Sequence, residues 1–197
     1  MKTVIYFLRH CEPDTLARDD LLQPLTPKGM HDAVEAAGFL EGRGICAIWS
    51  SDALRAIQTV QAFAQLSGLG IRRDARLREG VLGCAPEENP VYSRAQWADP
   101  FLSLPLGESL DHVRSRMRDV TQEILSVHRG GTVLACTHCT ALCALISSFE
   151  PSFGWEVART RKRVWPWIVR MDFDQEDRYL EFREIYPSSV RTGQALF

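Results

Sequence analysis

The stretch VIYFLRHCEPD, residues 4–14, decides the fold. Val4 to Leu8 are apolar, with β-branched and aromatic side chains, the composition of a strand buried on both faces. The run stops at Arg9-His10-Cys11, and a carboxylate (Glu12) and a proline (Pro13) follow at once. A cation, an imidazole and a thiol then stand at the carboxyl end of a buried strand, where open α/β sheets bind their ligands. A second stretch, TVLACTHCTALCALI (132–146), repeats the arrangement, with strand residues 132–136 running into His138-Cys139.

Outward from these strands, helical and extended patterns alternate. In LTPKGMHDAVEAAGFLEGRG (25–44), Thr26 suits a cap and Pro27 the first helical position. Met30, Ala33, Val34 and Ala37 fall at helical spacing, and Gly42 or Gly44 is the stop. Residues 45–49 (ICAIW) read as a short buried strand, with Cys46 a buried, inert thiol. A helix comes next, capped by Ser51 or Asp52, with Ala53, Ala56, Ile57, Val60 and Phe63 or Ala64 on one face; a short strand is expected at 70–74.

From Gly80 to Leu106 the periodicity breaks at Pro86, Pro90, Pro100 and Pro105, with Tyr92, Trp97 and Phe101 between them. A loop this long in a compact domain is usually functional or disordered, and the aromatics argue against disorder. Residues at about 83–106 are therefore expected to form a lid or substrate-facing insertion. Ser109 should cap a helix whose Leu110, Val113, Met117, Val120, Ile124 and Val127 alternate by three and four, with Gly130-Gly131 ending it. Residues 139–149 predict an apolar helix buried all round, and 163–173 and 178–186 two closing strands joined near Gln175–Asp177. Strands alternating with helices predict an α/β sandwich, one domain over residues 1–197.

Apolar residues at 45% and charged residues at 24% suit a globular core. A formal charge of -2 and a pI near 6.2 give no footprint for nucleic acid or an anionic membrane, so a small molecule is the expected partner. The apolar run before Arg9 is too short for a signal-peptide core or a membrane span, which predicts a cytoplasmic location. Without a secretory signal, the six cysteines imply free thiols. The oligomeric state is not legible.

Among the histidines, His31 and His112 lie off the apolar stripes of their helices and should be exposed, and His128 falls in a last helical turn, where a cation suits the dipole. His10 and His138 differ in following buried strands. Arg55 stands in a first helical turn, where the macrodipole disfavours a cation by about 0.3–1 kcal/mol. A bound anion would reverse that, and an ordinary ion pair with Asp52 is the competing account. Cys136-Thr137-His138-Cys139 also matches a CxxC redox dithiol, or with Cys143 part of a zinc site. Both are weakly supported, because Cys136 falls inside an apolar run and a redox dithiol belongs in an early βαβ unit.

Taken together, the groups resemble the histidine phosphatase superfamily, which contains cofactor-dependent phosphoglycerate mutase and many broad-specificity phosphatases. The resemblance rests on LRHCEPD, LTPKGMHDA, SSDALRAIQT, LREGVLG, GESL and VLACTHC, in that order over residues 3–146. It implies a three-layer α/β/α sandwich with a mostly parallel six-stranded sheet and one antiparallel strand. It implies that His10 is the nucleophile that becomes phosphohistidine, that Arg9, Arg55 and His138 complete the phosphate pocket, and that Glu79 is the proton donor and then the base for water. Cys139, Thr140 and Glu12 would adjoin the substrate, while Asp14 and Glu108 have weaker claims. A second branch of the family takes its acid from an aspartate after the second histidine; Cys139 fills that place here, which favours Glu79. No metal and no organic cofactor are expected.

Two departures stand out. Cysteine follows both histidines where the family generally has glycine, and a family asparagine is missing near Leu16. Cys11 and Cys139 are accordingly expected to be redox-active, by coming within bonding range or as a low-pKa thiolate beside arginine and histidine. The activity expected is hydrolysis of a small phosphomonoester, with mutase activity disfavoured by the modest insertion. A weak or inactive phosphate-binding pseudophosphatase is the alternative, and a CxxC thiol oxidoreductase a distant third. Arg159, Arg161, Lys162 and Arg163 would reach a second anionic group or, more ordinarily, form a solvated helix end.

Overall fold

The computed structural model describes residues 1–17, 19–83 and 89–187, Asn89 and Pro90 by backbone alone; Cys84 and Pro86 lie outside them. The first strand, β1 (Thr3–Arg9), is buried along its whole length. It divides its side chains by the two-residue period of the pleat, with Ile5 and Phe7 in one core cluster and Val4, Tyr6 and Leu8 in the other. The remaining elements are α1 (Pro27–Leu40), β2 (Ala47–Ser50), α2 (Leu54–Ser67), β3 (Ile71–Arg73), α3 (Asn89–Ala98), α4 (Leu110–Val127), β4 (Thr132–Thr137), α5 (Cys139–Phe149), α6 (Trp155–Arg161), β5 (Trp167–Phe173) and β6 (Tyr179–Tyr186).

The strands form one six-stranded sheet in the order β3-β2-β4-β1-β5-β6. β1 and β4 pair in parallel, Arg9 opposite Thr137, and β2 is parallel to both β4 and β3. β5 runs antiparallel to β1 and to β6, so it is the single reversed strand expected. One face is covered by α4, α5 and α6, and the other by α1 and α2, giving three layers. The parallel pairing of β1 and β4 brings their carboxyl ends, and the His-Cys pairs just beyond them, to the same edge.

Local chemistry explains most boundaries. Thr26 accepts from the Gly29 amide and Ser109 from the His112 amide, both side chains serving as N-caps. Neither Ser51 nor Asp52 caps α2. Its N-cap is Ala53, because Asp52 is drawn into a pair with Arg78 (Nε to Oδ1 2.6 Å) and Ser51 turns inward. The buried stripe of α1 is Ala33, Ala36, Ala37 and Leu40; Met30 and Val34, expected on it, are exposed. Small alanines let the helix lie close to the sheet, and the larger side chains point outward. Cys46 is exposed rather than buried, since it precedes β2 and its thiol donates to the Thr132 carbonyl at the strand's edge. His128 is no helix-end cation: burial, then Arg72, lowers its pKa, and its Nε2 accepts the Trp49 indole N–H at 3.1 Å.

The segment after Gly80 leaves and rejoins the sandwich through a narrow neck. Gly83 has φ +71°, and a Cβ there would meet the Pro105 carbonyl at 2.7 Å; one on Gly107 would meet the Leu82 carbonyl at 2.5 Å. Two glycines are therefore needed for the chain to pass itself. Within the segment, α3 carries a buried Tyr92 and packs Trp97 against the core, while Phe101 is 76% exposed. No described helix is long and apolar enough to cross a membrane.

Candidate active site

Arg9 ends β1 on the α6 face, and this decides what its guanidinium meets. Its N–H groups donate to the carbonyls of Arg161 (2.6 Å), Val164 (2.8 Å) and Lys162 (3.2 Å). It thus caps the carboxyl end of α6, where unpaired carbonyls favour a cation. Trp165 lies against the guanidinium, 4.6 Å from its ring centroid, and Nε is buried without a partner among the described residues.

His10 and His138 are brought together as the sheet predicts, ring centroids 5.0 Å apart in a T-shaped arrangement. His10 Nδ1 lies 2.7 Å from the Cys11 carbonyl. A carbonyl only accepts, so Nδ1 carries the proton and Nε2 is left with its lone pair. Burial, then the Arg9 charge, holds the His10 pKa down to about 3. His138 is completely buried, and burial followed by the His10, Arg55 and Arg9 charges holds its pKa well below the usual imidazole value. Its Nε2 meets the Ser51 hydroxyl at 2.8 Å, while Nδ1 has no partner among the described residues.

Arg55 is only 4% exposed and donates to the backbone carbonyl of Asp20 and, at 2.9 Å, to the Asp20 carboxylate. The ion pair anticipated with Asp52 is replaced by this one, since Asp52 is held by Arg78. Asp20 belongs to the loop between β1 and α1, and that loop is bound tightly to α1: Thr26 donates to the Glu12 carbonyl, and a Cβ on Gly29 would run into the same carbonyl. The Leu-Thr-then-Gly element thus has a steric cause. The Glu12 side chain stands 3.9 Å from Lys28 in a half-exposed position, and Asp14 accepts from the Leu16 amide in a local turn.

Glu79 approaches from the other side. Its carboxylate accepts from the amides of Gly80 (2.9 Å), Thr140 (3.0 Å) and Ala141 (3.0 Å), and so closes the amino end of α5. Both oxygens are acceptors in this conformation. Glu108, a weaker candidate, is a structural clamp: Arg116 grips it at 2.9 and 3.0 Å and also donates to the carbonyls of Arg76, Arg78 and Glu79. Arg116, Ser51 and Asp20 are the partners that sequence reasoning missed. Of these, Ser51 was within reach, because it belongs to the same SSDALRAIQT element as Arg55.

The two cysteines after the histidines part company. Cys11 is fully buried with Leu25 and Ala33, its amide donates to Thr59 Oγ1 at 2.9 Å, and burial pushes its thiol up to about 12. It is not the low-pKa thiolate anticipated. Thr59 in turn donates to the Arg55 carbonyl, so one hydroxyl ties the first histidine's turn to α2. Cys139 instead meets the Cys143 thiol, and that hydrogen bond lowers its pKa. Cys136 lies in the core on the opposite face of the sheet from Cys139 and Cys143, which excludes a CxxC dithiol or a shared zinc. Among the described residues no cluster of metal-ligating side chains forms. The basic run also divides: Arg161 pairs with Glu184 at 2.6 Å, Arg159 with Glu156, and Lys162 reaches Ser93 at 3.2 Å.

Known proteins agree with this architecture. A family model described as histidine phosphatase superfamily (branch 1) matches residues 5–177. A probable phosphoglycerate mutase GpmB of Escherichia fergusonii is 30% identical over 189 residues, covering 89% of this chain and 87% of that protein. Its namesake in Serratia proteamaculans is 29% identical, with 73% of each chain covered. Among solved structures, YhfR of Bacillus stearothermophilus superposes with a TM-score of 0.74 at 25% identity, covering 90% of this chain and 94% of that one. A mycobacterial glucosyl-3-phosphoglycerate phosphatase in complex with inorganic phosphate gives a TM-score of 0.71 at 25% identity, covering 92% and 95%.

Proposed function

The chain belongs to the histidine phosphatase superfamily, branch 1, and on that premise we propose that it is a phosphomonoester hydrolase acting through a phosphohistidine on His10. The observation that carries this is the state of His10: neutral, with Nδ1 donating to the Cys11 carbonyl and the lone pair left on Nε2. A neutral imidazole of fixed tautomer is what in-line attack on phosphorus requires.

In the reaction, Nε2 displaces the ester oxygen, and the charge on the transferring phosphoryl group is offset by His138, Arg55 and Arg9. Glu79, whose carboxylate accepts from the Thr140 and Ala141 amides at the amino end of α5, is assigned to give a proton to the leaving group and later to take one from water. To act as a donor it must exchange an amide contact for the ester oxygen. The substrate is a small phosphorylated metabolite, as the names of the mycobacterial phosphatase and the phosphoglycerate mutase relatives also suggest. Thr140 and Cys139, in the first turn of α5, and Glu12, in the loop opposite, flank its place.

A catalytically weak or inactive pseudophosphatase has one observation in its favour. Arg55 is paired with Asp20, and the Arg9 N–H groups are spent on α6 carbonyls, so both cations must turn to meet phosphate. Hydrolysis of p-nitrophenyl phosphate at roughly pH 5–8, with reductant, separates the two. Turnover in the wild type that is lost in His10→Ala supports the hydrolase; phosphate binding without turnover supports the pseudophosphatase. Mutase activity is read in the same preparations with a phosphoglycerate, as transfer between its hydroxyls rather than release of phosphate.

A further inference from the structure

Thr137, Arg9 and Trp167 stand in one row across β4, β1 and β5, because Arg9 pairs with Thr137 on one side and with Trp167 on the other. His138 follows the first of them and Trp165 lies two residues before the last, so both reach the end of β1 that carries His10. The Arg9 guanidinium lies 4.6 Å from the centre of the Trp165 ring. Arg9 Nε, Trp165 Nε1 and His138 Nδ1 are all buried with no hydrogen-bond partner among the described residues. The arginine and tryptophan nitrogens can only donate. So does His138 Nδ1: Ser51 Oγ accepts from the Ala53 amide at 3.3 Å and gives its own proton to His138 Nε2 at 2.8 Å, which leaves the ring proton on Nδ1. A buried donor without a partner costs more than an ordinary hydrogen bond gains. Three at one corner call for an acceptor that the surrounding side chains do not supply.

We propose that Trp165 is a further phosphate-binding residue, its indole N–H donating to a phosphoryl oxygen alongside Arg9 Nε–H and His138 Nδ1–H. The proposal rests on the phosphate pocket described above and adds to it a residue that lies beyond the motifs of residues 3–146. The terminal nitrogens of Arg9 are spent on the carbonyls of Arg161, Lys162 and Val164, so Nε–H leads when the guanidinium turns to phosphate. The indole beside it supplies a second donor without adding a charge, and its flat ring steadies the guanidinium by stacking. Hydrogen bonds of about 2.9 Å let the oxygens of one phosphoryl group bridge donors that stand several ångströms apart. A ligand that only accepts, with its charge spread over three equatorial oxygens, matches a corner that only donates.

Inorganic phosphate is the probe, so the test does not depend on turnover. In protein labelled with nitrogen-15, each of the five tryptophans gives one indole N–H signal. That of Trp165 is assigned by its loss in Trp165→Phe or, should that variant not fold, by its through-space contacts with the neighbouring Pro166. Titrated with phosphate at constant ionic strength, the signal should move downfield and saturate at the midpoint found by calorimetry. Trp165→Phe, which keeps a ring against the guanidinium and removes the N–H, should bind phosphate about tenfold more weakly, the worth of one hydrogen bond to a charged group. A Trp165 signal that stays in place while phosphate binds, or equal affinity in wild type and Trp165→Phe, would overturn the proposal and leave the hydrolase reading standing. A moving Trp165 signal in a wild type that turns over no p-nitrophenyl phosphate would do the reverse. A wild type that binds no phosphate by either readout would overturn the proposal outright.

Discussion

The two strand-end corners, Arg9-His10-Cys11 and Thr137-His138-Cys139, start from nearly the same chemistry and finish differently. They lie on adjacent parallel strands in register, and their imidazoles touch. Yet His10 holds its Nδ1 proton against its own turn, whereas His138 turns Nε2 to Ser51 and leaves Nδ1 without a partner among the described residues. Cys11 goes into the wall between the loop and α1, and Cys139 into the first turn of a helix beside a second thiol. The path of the chain beyond each dipeptide makes the difference. After Cys11 it leaves as a loop bound back onto α1, and after Cys139 it enters a helix whose amides are already taken by Glu79. Identical residues at equivalent places thus acquire a fixed tautomer and an inert thiol in one case, and a completely buried imidazole bonded to Ser51 and a thiol in the first turn of a helix in the other.

The comparison breaks first in turnover. His10→Ala should lose about 10⁴-fold or more, as loss of a nucleophile does. His138→Ala should lose about 10²–10³, the worth of one preorganised donor. Equal losses measured with p-nitrophenyl phosphate would erase the distinction. Since burial keeps His10 neutral down to about pH 3, kcat/KM should show no acid limb near pH 6.5 arising from this residue.

Stability against pH comes next. Both imidazoles have folded values below their unfolded value of about 6.5, so the unfolded chain binds more protons. Their contribution is complete above that pH and is lost as pH falls from 6.5 towards about 3 for His10. Between pH 7 and 5 His10 should cost about 2 kcal/mol in urea unfolding, with His138 adding to the loss in the same direction, a slope that His10→Asn or His138→Asn would reduce. Smaller again, Gly29→Ala should destabilise by about 1–3 kcal/mol through the clash with the Glu12 carbonyl, disturbing the Cys11 corner and leaving the Cys139 corner alone. The smallest effect is expected of Asp20→Asn, which frees Arg55 from a largely solvent-exposed carboxylate. A pair of that kind is worth about 0–1 kcal/mol, so KM should fall no more than about fivefold with kcat unchanged.

Much of this was legible beforehand, for physical reasons. A buried strand must be apolar on both faces, so Val4–Leu8 and Val133–Cys136 announced themselves, and parallel strands must place their ends together. The reversed strand β5 came from family resemblance, because nothing in Trp167–Phe173 specifies direction. Side-chain partners were the least accessible. Asp20 lies far from Arg55 in sequence, and only the folding of the loop over α2 shows that it, rather than Asp52, takes the guanidinium. The fates of Cys11 and Cys139 were equally hidden, since each depends on residues from a different element: Thr59 and Ala33 for one, Cys143 and Lys162 for the other. The helix α6 was legible only as the helix end that its basic run suggested, because its seven residues, WEVARTR, are too few and too charged to show a stripe.

The most direct test of the difference between the two corners is to trap the intermediate. Wild type and His138→Ala, mixed with p-nitrophenyl phosphate and quenched in alkali, where a phosphohistidine survives, should yield a phosphorylated peptide containing His10. His10→Ala should yield none. Phosphate found on the peptide carrying His138 or Cys139, or steady turnover in His10→Ala, would contradict the assignment of His10 as the nucleophile.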